Sequence, residues 1–327
     1  MSLLAVLLPA IVAIVAIAIL RASPLAAKIF DHPNDRSLHA QAMPRIGGIG
    51  MMLGAMPIVF FLGTPEVRWI GGAAVALAGL SFVDDLRTLP VAVRLPCHFA
   101  AAALAVVVAW PGSAAAEPAS IAVAAVAVLA IAWMTNLFNF MDGADGLAGG
   151  MAMIGFGTLA FAALRGGDSA IAYASLALSA ASAGFLAFNF PPARVLMGDA
   201  GSVPVGFLAG ALGWLGAAHS VWPWWFAPLV FSPFIVDASV TLARRLAAGE
   251  RLVQAHRTHY YQRLVLSGWS HQRLAAAAWA LMAAVAASAI AALGQRGAVQ
   301  GAIISFWVIA FAVLLLAIDR RKPREPS

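Results

Sequence analysis

The sequence predicts an all-α protein that crosses a membrane many times. Of its 327 residues 62% are hydrophobic and only 10% are charged, which leaves too little polar surface for a water-soluble globule of this size. The apolar residues also occur in runs of about 20, the length at which a helix crosses a hydrocarbon core. The single cysteine, Cys97, excludes an intramolecular disulfide framework.

Eleven apolar runs are predicted to span the membrane. They cover residues 3–20, 46–63, 68–83, 95–110, 118–141, 147–164, 169–189, 201–218, 220–242, 271–293 and 298–318. No internal repeat or low-complexity linker divides them, so residues 1–327 are treated as one transmembrane domain. The first run has no basic residue before it, which favours a retained helix over a cleaved signal peptide.

The basic residues predict the orientation of the chain. With the N-terminus outside, seventeen Lys and Arg fall on the inner side, and three on the outer side: Arg68, Arg165 and Arg296. The C-terminus is then cytoplasmic. The net charge of +6 is explained by this topology and by attraction to anionic lipid, so nucleic acid is not expected as a partner.

The first inner loop carries Arg36 and His39, and ends in Arg45 before a glycine pair. We expect Gly47 and Gly48 to open the second helix with free backbone N–H groups, which together with the arginines can hold an anion. The alternative is a capped connecting loop whose arginines contact lipid headgroups.

Acidic residues follow the third and fifth predicted spans. Asp84 and Asp85 are adjacent, so on a helix they point about 100° apart and one can face a site. Asp142 and Asp145 can share a helix face, or can flank a tight glycine turn. Either geometry suits Mg²⁺, which takes one or two carboxylates plus substrate phosphates. Acids at a membrane boundary are functional candidates, although a polar helix end is the simpler alternative.

Two further inner segments complete the polar side. Asp199 lies between glycines at a predicted helix start, after Asn189 and Arg194, which could bind phosphate or ribose; an ordinary N-cap is the alternative.

In residues 243–270 we expect His256, His259 and Arg263 on one helical face, where they could donate to a diphosphate. Zinc binding ranks low because His-Glu-x-x-His spacing is absent, and a lipid-facing basic helix is the main alternative. Asp237 has no evident local partner.

Together the five inner segments, from Asp31 to Leu264, resemble the polyprenyl-phosphate N-acetylhexosamine-1-phosphate transferase family, which includes the phospho-MurNAc-pentapeptide translocase. The resemblance implies transfer of a sugar 1-phosphate from a UDP-N-acetylhexosamine to undecaprenyl phosphate, with release of UMP. It also implies a requirement for Mg²⁺, for which Mn²⁺ could substitute, and an active site on the cytoplasmic face of the bacterial inner membrane. A homodimer is compatible with it.

The resemblance also assigns roles to residues. The paired acids would deprotonate or attack a phosphate, and the Asn139-x-x-Asp142-Gly-x-Asp145-Gly segment would contact metal and uridine. The Asp199 segment would bind Mg²⁺, with Leu196 in place of the family's Phe. The candidate catalytic residues are Asp84, Asp85, His256 and His259; the substrate-binding candidates are Arg36, His39, Asn139, Asp142, Asp145, Asn189, Arg194, Arg257 and Arg263; the metal candidates are Asp199 and Asp142.

Two departures from the family's patterns indicate the pathway. Three consecutive histidines are absent from the last inner loop, and the first loop reads Arg36-Ser-Leu-His39 rather than Arg-Lys-x-x-His. In both features the chain looks like the enzymes that initiate O-antigen or exopolysaccharide synthesis with N-acetylated fucosamine, quinovosamine or glucosamine. The alternatives are a pentapeptide transferase and, from another class, an ion-coupled transporter, which predicts acids near mid-membrane. A CDP-alcohol phosphotransferase would need an Arg that the Asp142 segment lacks.

Overall fold

The computed structural model describes residues 3–24, 26, 29–31, 38, 41–110, 118–251 and 256–321. These residues are mostly helical, which confirms the predicted all-α class. The helices are α1 (Leu3–Ala22), α2 (Gly47–Leu62), α3 (Pro65–Arg87), α4 (Val91–Val108), α5 (Pro118–Phe140), α6 (Leu147–Gly166), α7 (Ser169–Asn189), α8 (Asp199–Ala218), α9 (Phe226–Val230), α10 (Ser232–Ala247), α11 (Tyr260–Leu266), α12 (His271–Ala292) and α13 (Gly297–Asp319). Two-residue strands β1 (Phe30–Asp31) and β2 (Met43–Pro44) pair antiparallel.

Eight of these helices are long and apolar enough to cross a membrane: α3 to α8, α12 and α13. Residues Leu7–Ala22 and helix α2 are shorter apolar helices. The chain is therefore a polytopic membrane protein. The count of eleven spans and the orientation stay predictions. Helix α8 lies at the centre of the bundle, with most of its side chains buried, whereas α13 exposes most of its surface.

The prediction that residues 220–242 form a single ninth span is wrong. This segment is divided into α9 and α10 at Phe231. Pro233 stands in the first turn of α10. Because proline has no backbone N–H, it cannot continue the hydrogen-bond ladder from the preceding turn.

The third span is longer than predicted, and this moves its acids. Helix α3 runs to Arg87 rather than to residue 83, so Asp84 and Asp85 lie in its last turn. Thr88 then caps the helix in the left-handed region (φ 50°) and donates its N–H to the Asp84 carbonyl.

The starts of α2 and α8 touch through glycines. A Cβ on Gly48 would lie 2.1 Å from the Cα of Gly201, so the two backbones are in direct contact. The N–H groups of Gly47 and Gly48 donate to the carbonyls of Leu196 (2.9 Å) and Met197 (2.8 Å). The expectation that these two N–H groups are free to hold an anion is therefore wrong, because they tie the first inner loop to the segment before α8.

We expect Gly48→Ala to destabilise the protein, by about 1–3 kcal/mol, since the new methyl group meets backbone atoms that cannot move aside alone. Gly72→Ala in α3 is the matched control, because nothing lies within 4 Å of its added Cβ and alanine favours a helix over glycine. Thermal unfolding in detergent micelles measures both. Equal melting temperatures for the two variants would contradict the close helix contact.

Candidate active site

The candidate residues meet at one end of the helix bundle, where α3, α5 and α7 finish and α4, α8 and α12 begin. Three contacts between distant segments establish this. Arg45 lies 3.4 Å from Asp85, Asn139 donates to Asp199 at 2.8 Å, and His271 lies 2.9 Å from Asp145. These acids lie at the ends of the apolar helices or in the turn after α5, and none lies at the middle of a helix. This is the arrangement predicted for an enzyme at a membrane surface.

Asp199 is partly accessible to solvent. It is the first residue of α8 and its side chain is 31% exposed. One carboxylate oxygen accepts a hydrogen bond from the Asn139 amide, which also donates to the Ser202 hydroxyl at 2.9 Å. Asn139 therefore orients the carboxylate and leaves its other oxygen, Oδ2, turned toward Arg94 at 4.0 Å.

Asp142 lies in a turn rather than on a helix face. Helix α5 ends at Phe140 and α6 begins at Leu147, with Gly146 in the left-handed region (φ 72°). Of the two predicted geometries, the glycine turn is the one that forms. Burial, followed by the negative charge of Asp199, raises the pKa of the Asp142 carboxyl well above its ordinary value of 3.8, although Arg45 and the N–H of Gly198 favour the ionised form.

Two arginines balance the negative charges of Asp84 and Asp85, the paired acids of α3. Arg94 donates to Asp84 at 2.7 Å, and the N–H of Leu89 donates to the same carboxylate. Arg45 pairs with Asp85 and with Asp31. Both acids therefore face the site, although only one of the two was expected to do so.

The sequence does not single out Arg94 as a site residue, and it indicates Arg45 only as a residue flanking an anion site. A charged residue directly before an apolar run was the available signal for Arg94. Its pairing with an acid ten positions earlier could not be read from the sequence.

Asp145 and Asn189 hold neighbouring segments together. Asp145 contacts His271 and accepts the backbone N–H of Ala193 at 3.0 Å. The Asn189 amide accepts from Gly146 N–H and donates to the carbonyl of Val195, both at 2.9 Å. These side chains brace the turn that carries Asp142. Their predicted contact with substrate stays a prediction.

The remaining basic candidates that the structure describes make their contacts outside the group formed by Asp85, Asp142 and Asp199. Arg194 donates to the Ala187 carbonyl at 2.6 Å and stacks on Phe188. Arg263 pairs with Asp319 and lies over the ring of Tyr260. Arg257 is exposed. Arg36 and His39 lie outside the described residues.

The histidines do not share a helix face with Arg263, so that expectation is wrong. Helix α11 begins only at Tyr260, and His256 and His259 precede it. Asp237 explains the arrangement: it accepts the N–H groups of Tyr260 and Tyr261, each at 2.9 Å, and lies 3.3 Å from the His259 ring. The acid that had no evident partner in the sequence therefore anchors the start of α11.

His259 stacks between the rings of Phe140 and Tyr261, and the Tyr261 hydroxyl donates to the Phe140 carbonyl at 3.1 Å. The last loop is thereby fixed beside the Asp142 turn. Burial, and then the neighbouring His259, lowers the pKa of the half-buried His256 ring to about 4. At neutral pH His256 is therefore uncharged, and it can offer a phosphate only a hydrogen bond.

The carboxylates suit a magnesium ion whose coordination shell is completed by the substrate. In the described part of the chain, no group of three or more His, Cys, Asp or Glu side chains is placed to hold a metal alone. Mg²⁺, however, typically uses one or two carboxylates and fills its shell with phosphates and water. The mutual repulsion of Asp142 and Asp199, which raises the Asp142 pKa, is the feature that a cation between them would relieve.

Comparisons with known proteins match the part of the chain that carries these residues. Residues 67–217 match the family model described as "Glycosyl transferase family 4". This region contains helices α3 to α8, and with them the acids of α3, the Asp142 turn and Asp199.

Three relatives illustrate the likeness. A probable undecaprenyl-phosphate N-acetylglucosaminyl 1-phosphate transferase of Bacillus subtilis is 28% identical, over 74% of this chain and 71% of its own length. A decaprenyl-phosphate N-acetylglucosaminephosphotransferase of Mycolicibacterium smegmatis is 28% identical, over 89% of this chain and 82% of its own. A phospho-N-acetylmuramoyl-pentapeptide-transferase of Pelotomaculum thermopropionicum is 36% identical over a shorter region, 51% of this chain and 50% of its own. Over its central helices this chain is similar to glycosyl transferase family 4, and over most of its length to the polyprenyl-phosphate N-acetylglucosamine-phosphate transferases of Bacillus and Mycolicibacterium.

Proposed function

We propose that the protein transfers an N-acetylhexosamine 1-phosphate from a UDP-sugar to undecaprenyl phosphate, giving the undecaprenyl-diphosphate sugar and UMP. One observation carries this proposal. Asp85, Asp142 and Asp199, from three separate segments, gather at one end of an apolar helix bundle with Arg45 and Arg94 between them. The relatives from Bacillus and Mycolicibacterium, both named as polyprenyl-phosphate N-acetylglucosamine-phosphate transferases, support it.

The reaction brings two polyanions together at the edge of a membrane, so the main requirement is compensation of charge. Arg45 and Arg94 each lie beside carboxylates at the site and can extend to phosphate oxygens of the substrates. The apolar bundle holds the polyprenyl chain in the bilayer. Only its phosphate must then reach the polar end of the helices.

Asp199 and Asp142 would hold Mg²⁺, or Mn²⁺ in its place. When bound, the ion neutralises the UDP diphosphate and polarises the phosphorus that is attacked. Asn139 keeps the Asp199 carboxylate in position, and the N–H of Gly198 does the same for Asp142.

An oxygen of the acceptor phosphate forms a bond to the β-phosphorus of the UDP-sugar, and the bond from that phosphorus to the UMP oxygen breaks. Any proton on the acceptor phosphate passes to Asp84 or Asp85. Both carboxylates already accept hydrogen bonds from cationic groups and backbone N–H donors, so they are held in fixed positions at the site.

The proposal extends to the pathway: an initiating step in the synthesis of O-antigen or another cell-surface polysaccharide. It also places the active site on the cytoplasmic face of the bacterial inner membrane and allows a homodimer. The absence of three consecutive histidines before α11 supports this choice over a pentapeptide substrate.

Purified protein in detergent, given undecaprenyl phosphate, Mg²⁺ and a panel of UDP-N-acetylhexosamines, should release UMP with at least one sugar. Omission of the lipid or addition of EDTA should stop the release. A UDP-MurNAc-pentapeptide arm tests the alternative substrate. If no UDP-sugar yields UMP while the protein remains folded, the proposed transfer is refuted.

A further inference from the structure

Two buried nitrogen atoms on one face of α4 lack partners. Among the described residues, neither Nε of Arg94 nor Nδ1 of His98 has a hydrogen-bond partner. His98 is only 5% exposed. The two residues are four apart on a helix and therefore neighbours on the same face. A buried polar group without a partner is costly, and such a group in a native protein indicates a missing ligand or water.

The surroundings of His98 define what that ligand can be. Its second ring nitrogen faces the side chain of Asn136 on α5. The Asn136 amide nitrogen already donates to the Ala132 carbonyl at 2.7 Å, so its oxygen is left to accept the ring N–H. In the neutral ring Nδ1 is then an acceptor, and in the protonated ring it is a donor.

A phosphate monoester satisfies both nitrogens in either state. Its second pKa is about 6, so near neutral pH it can present a P–OH donor to Nδ1 or an anionic oxygen to a protonated ring. A further anionic oxygen accepts the N–H of Arg94. The diphosphate diester linkage of a nucleotide sugar has no P–OH near neutral pH and fits the neutral ring less well.

The location favours a lipid as the carrier of this phosphate. His98 lies about one turn, roughly 6 Å, further along α4 than Arg94, away from the polar end of the bundle. On the same stretch of α4, Leu95 and Phe99 are exposed on the outer surface of the bundle. A phosphate whose hydrocarbon chain remains in the bilayer can reach this depth, whereas a water-soluble nucleotide would have to leave the polar end.

We propose that Arg94 and His98 form the subsite for the phosphate monoester of the polyprenyl acceptor. Arg94 then joins this phosphate to the reacting centre, because its Nη1 contacts Asp84 at 2.7 Å and approaches Asp199 at 4.0 Å. The subsite rests on the proposed transfer reaction and names where one of its two substrates binds.

The test is the effect of His98 variants on the KM of each substrate. His98→Phe keeps the ring volume but removes both nitrogens, and should raise the acceptor KM by about tenfold or more, the effect of losing a hydrogen bond to a charged group. The KM for the UDP-sugar should change less than twofold. His98→Gln, which restores polar groups, should recover most of the loss, and Cys97→Ala, beside it in sequence, should behave as wild type.

The outcomes separate the two proposals. A wild-type protein that releases no UMP refutes the transfer reaction itself. An active wild type with an unchanged acceptor KM in His98→Phe refutes the subsite. So does a change confined to the UDP-sugar KM or to inhibition by UMP, because the nitrogens would then serve the nucleotide.

If His98→Phe does not fold, binding to His98→Leu, which also lacks both ring nitrogens, replaces it. A short-chain polyprenyl phosphate should raise the melting temperature of wild type more than that of His98→Leu, while UMP should affect both equally. Equal shifts with the polyprenyl phosphate would overturn the assignment.

Discussion

Asp199→Asn should lower UMP release at least a hundredfold without unfolding the protein, a loss of the size seen when one preorganised electrostatic group is removed from an active site. The fold should persist because the new amide keeps an oxygen that can accept from Asn139, which donates to Asp199 at 2.8 Å in the wild type. The substitution removes the negative charge of a carboxylate that is 31% exposed. Initial rates of UMP release with undecaprenyl phosphate and Mg²⁺ measure the effect.

Asp168→Asn is the matched control for this experiment. Asp168 caps the N-terminus of α7, where it accepts the N–H of Ile171 at 2.9 Å, and it lies 3.3 Å from His219 at the other end of the bundle. Asparagine caps a helix about as well as aspartate, so this variant should lose less than about 1 kcal/mol of stability and should change little in rate. Full activity in Asp199→Asn would remove Asp199 from the site.

Asp142→Asn should abolish transfer to a similar degree, but it should also stabilise the protein in the absence of metal. Burial and Asp199 raise the pKa of Asp142 above 3.8, so the folded state binds its proton more tightly than the unfolded state. The free energy of unfolding then falls as pH rises from about 3.8 to the raised pKa, and the penalty is fully present above that pKa. Asparagine carries no charge and avoids the penalty.

The same variant tests the metal assignment. Ligands that bind only the folded state stabilise it, and a cation beside Asp142 would offset the repulsion from Asp199. Mg²⁺ should therefore raise the melting temperature of wild type more than that of Asp142→Asn. Thermal unfolding at neutral pH with EDTA and with Mg²⁺ gives the four values needed. Identical Mg²⁺ shifts in both proteins would show that Asp142 does not take part in metal binding.

Several features of the site could be predicted because they depend on short stretches of chain. Membrane helices follow from runs of apolar residues. The ends of those runs predict where the acids lie: Asp84 and Asp85 at the end of α3, and Asp142 and Asp145 in the turn after α5. The glycine after Asp142 already indicated a turn as one of two geometries, and Gly146 adopts the positive φ that this turn requires. Local composition is sufficient for such features because each helix must satisfy its own backbone hydrogen bonds in a membrane.

Other features depend on contacts between segments far apart in sequence. Asp145 resembles Asp142 in its spacing and its glycine neighbour, yet it binds His271 and the N–H of Ala193. Asp237 binds the start of α11, more than twenty residues later. The helix-face prediction for the histidines failed because it assumed that α11 begins several residues before Tyr260.

The sequence by itself determined that this protein is an all-α membrane protein with its acids at the ends of helices, because hydrophobic length and charge are properties of single segments. The tertiary structure decided which of those acids share one site and that Arg45 and Arg94 compensate their charge. It also decided that, within the described part of the chain, Nδ1 of His98 has no hydrogen-bond partner. Those facts depend on how the helices are rotated and offset against one another. That rotation is set by close packing, such as the glycine contact between α2 and α8, which no single segment encodes.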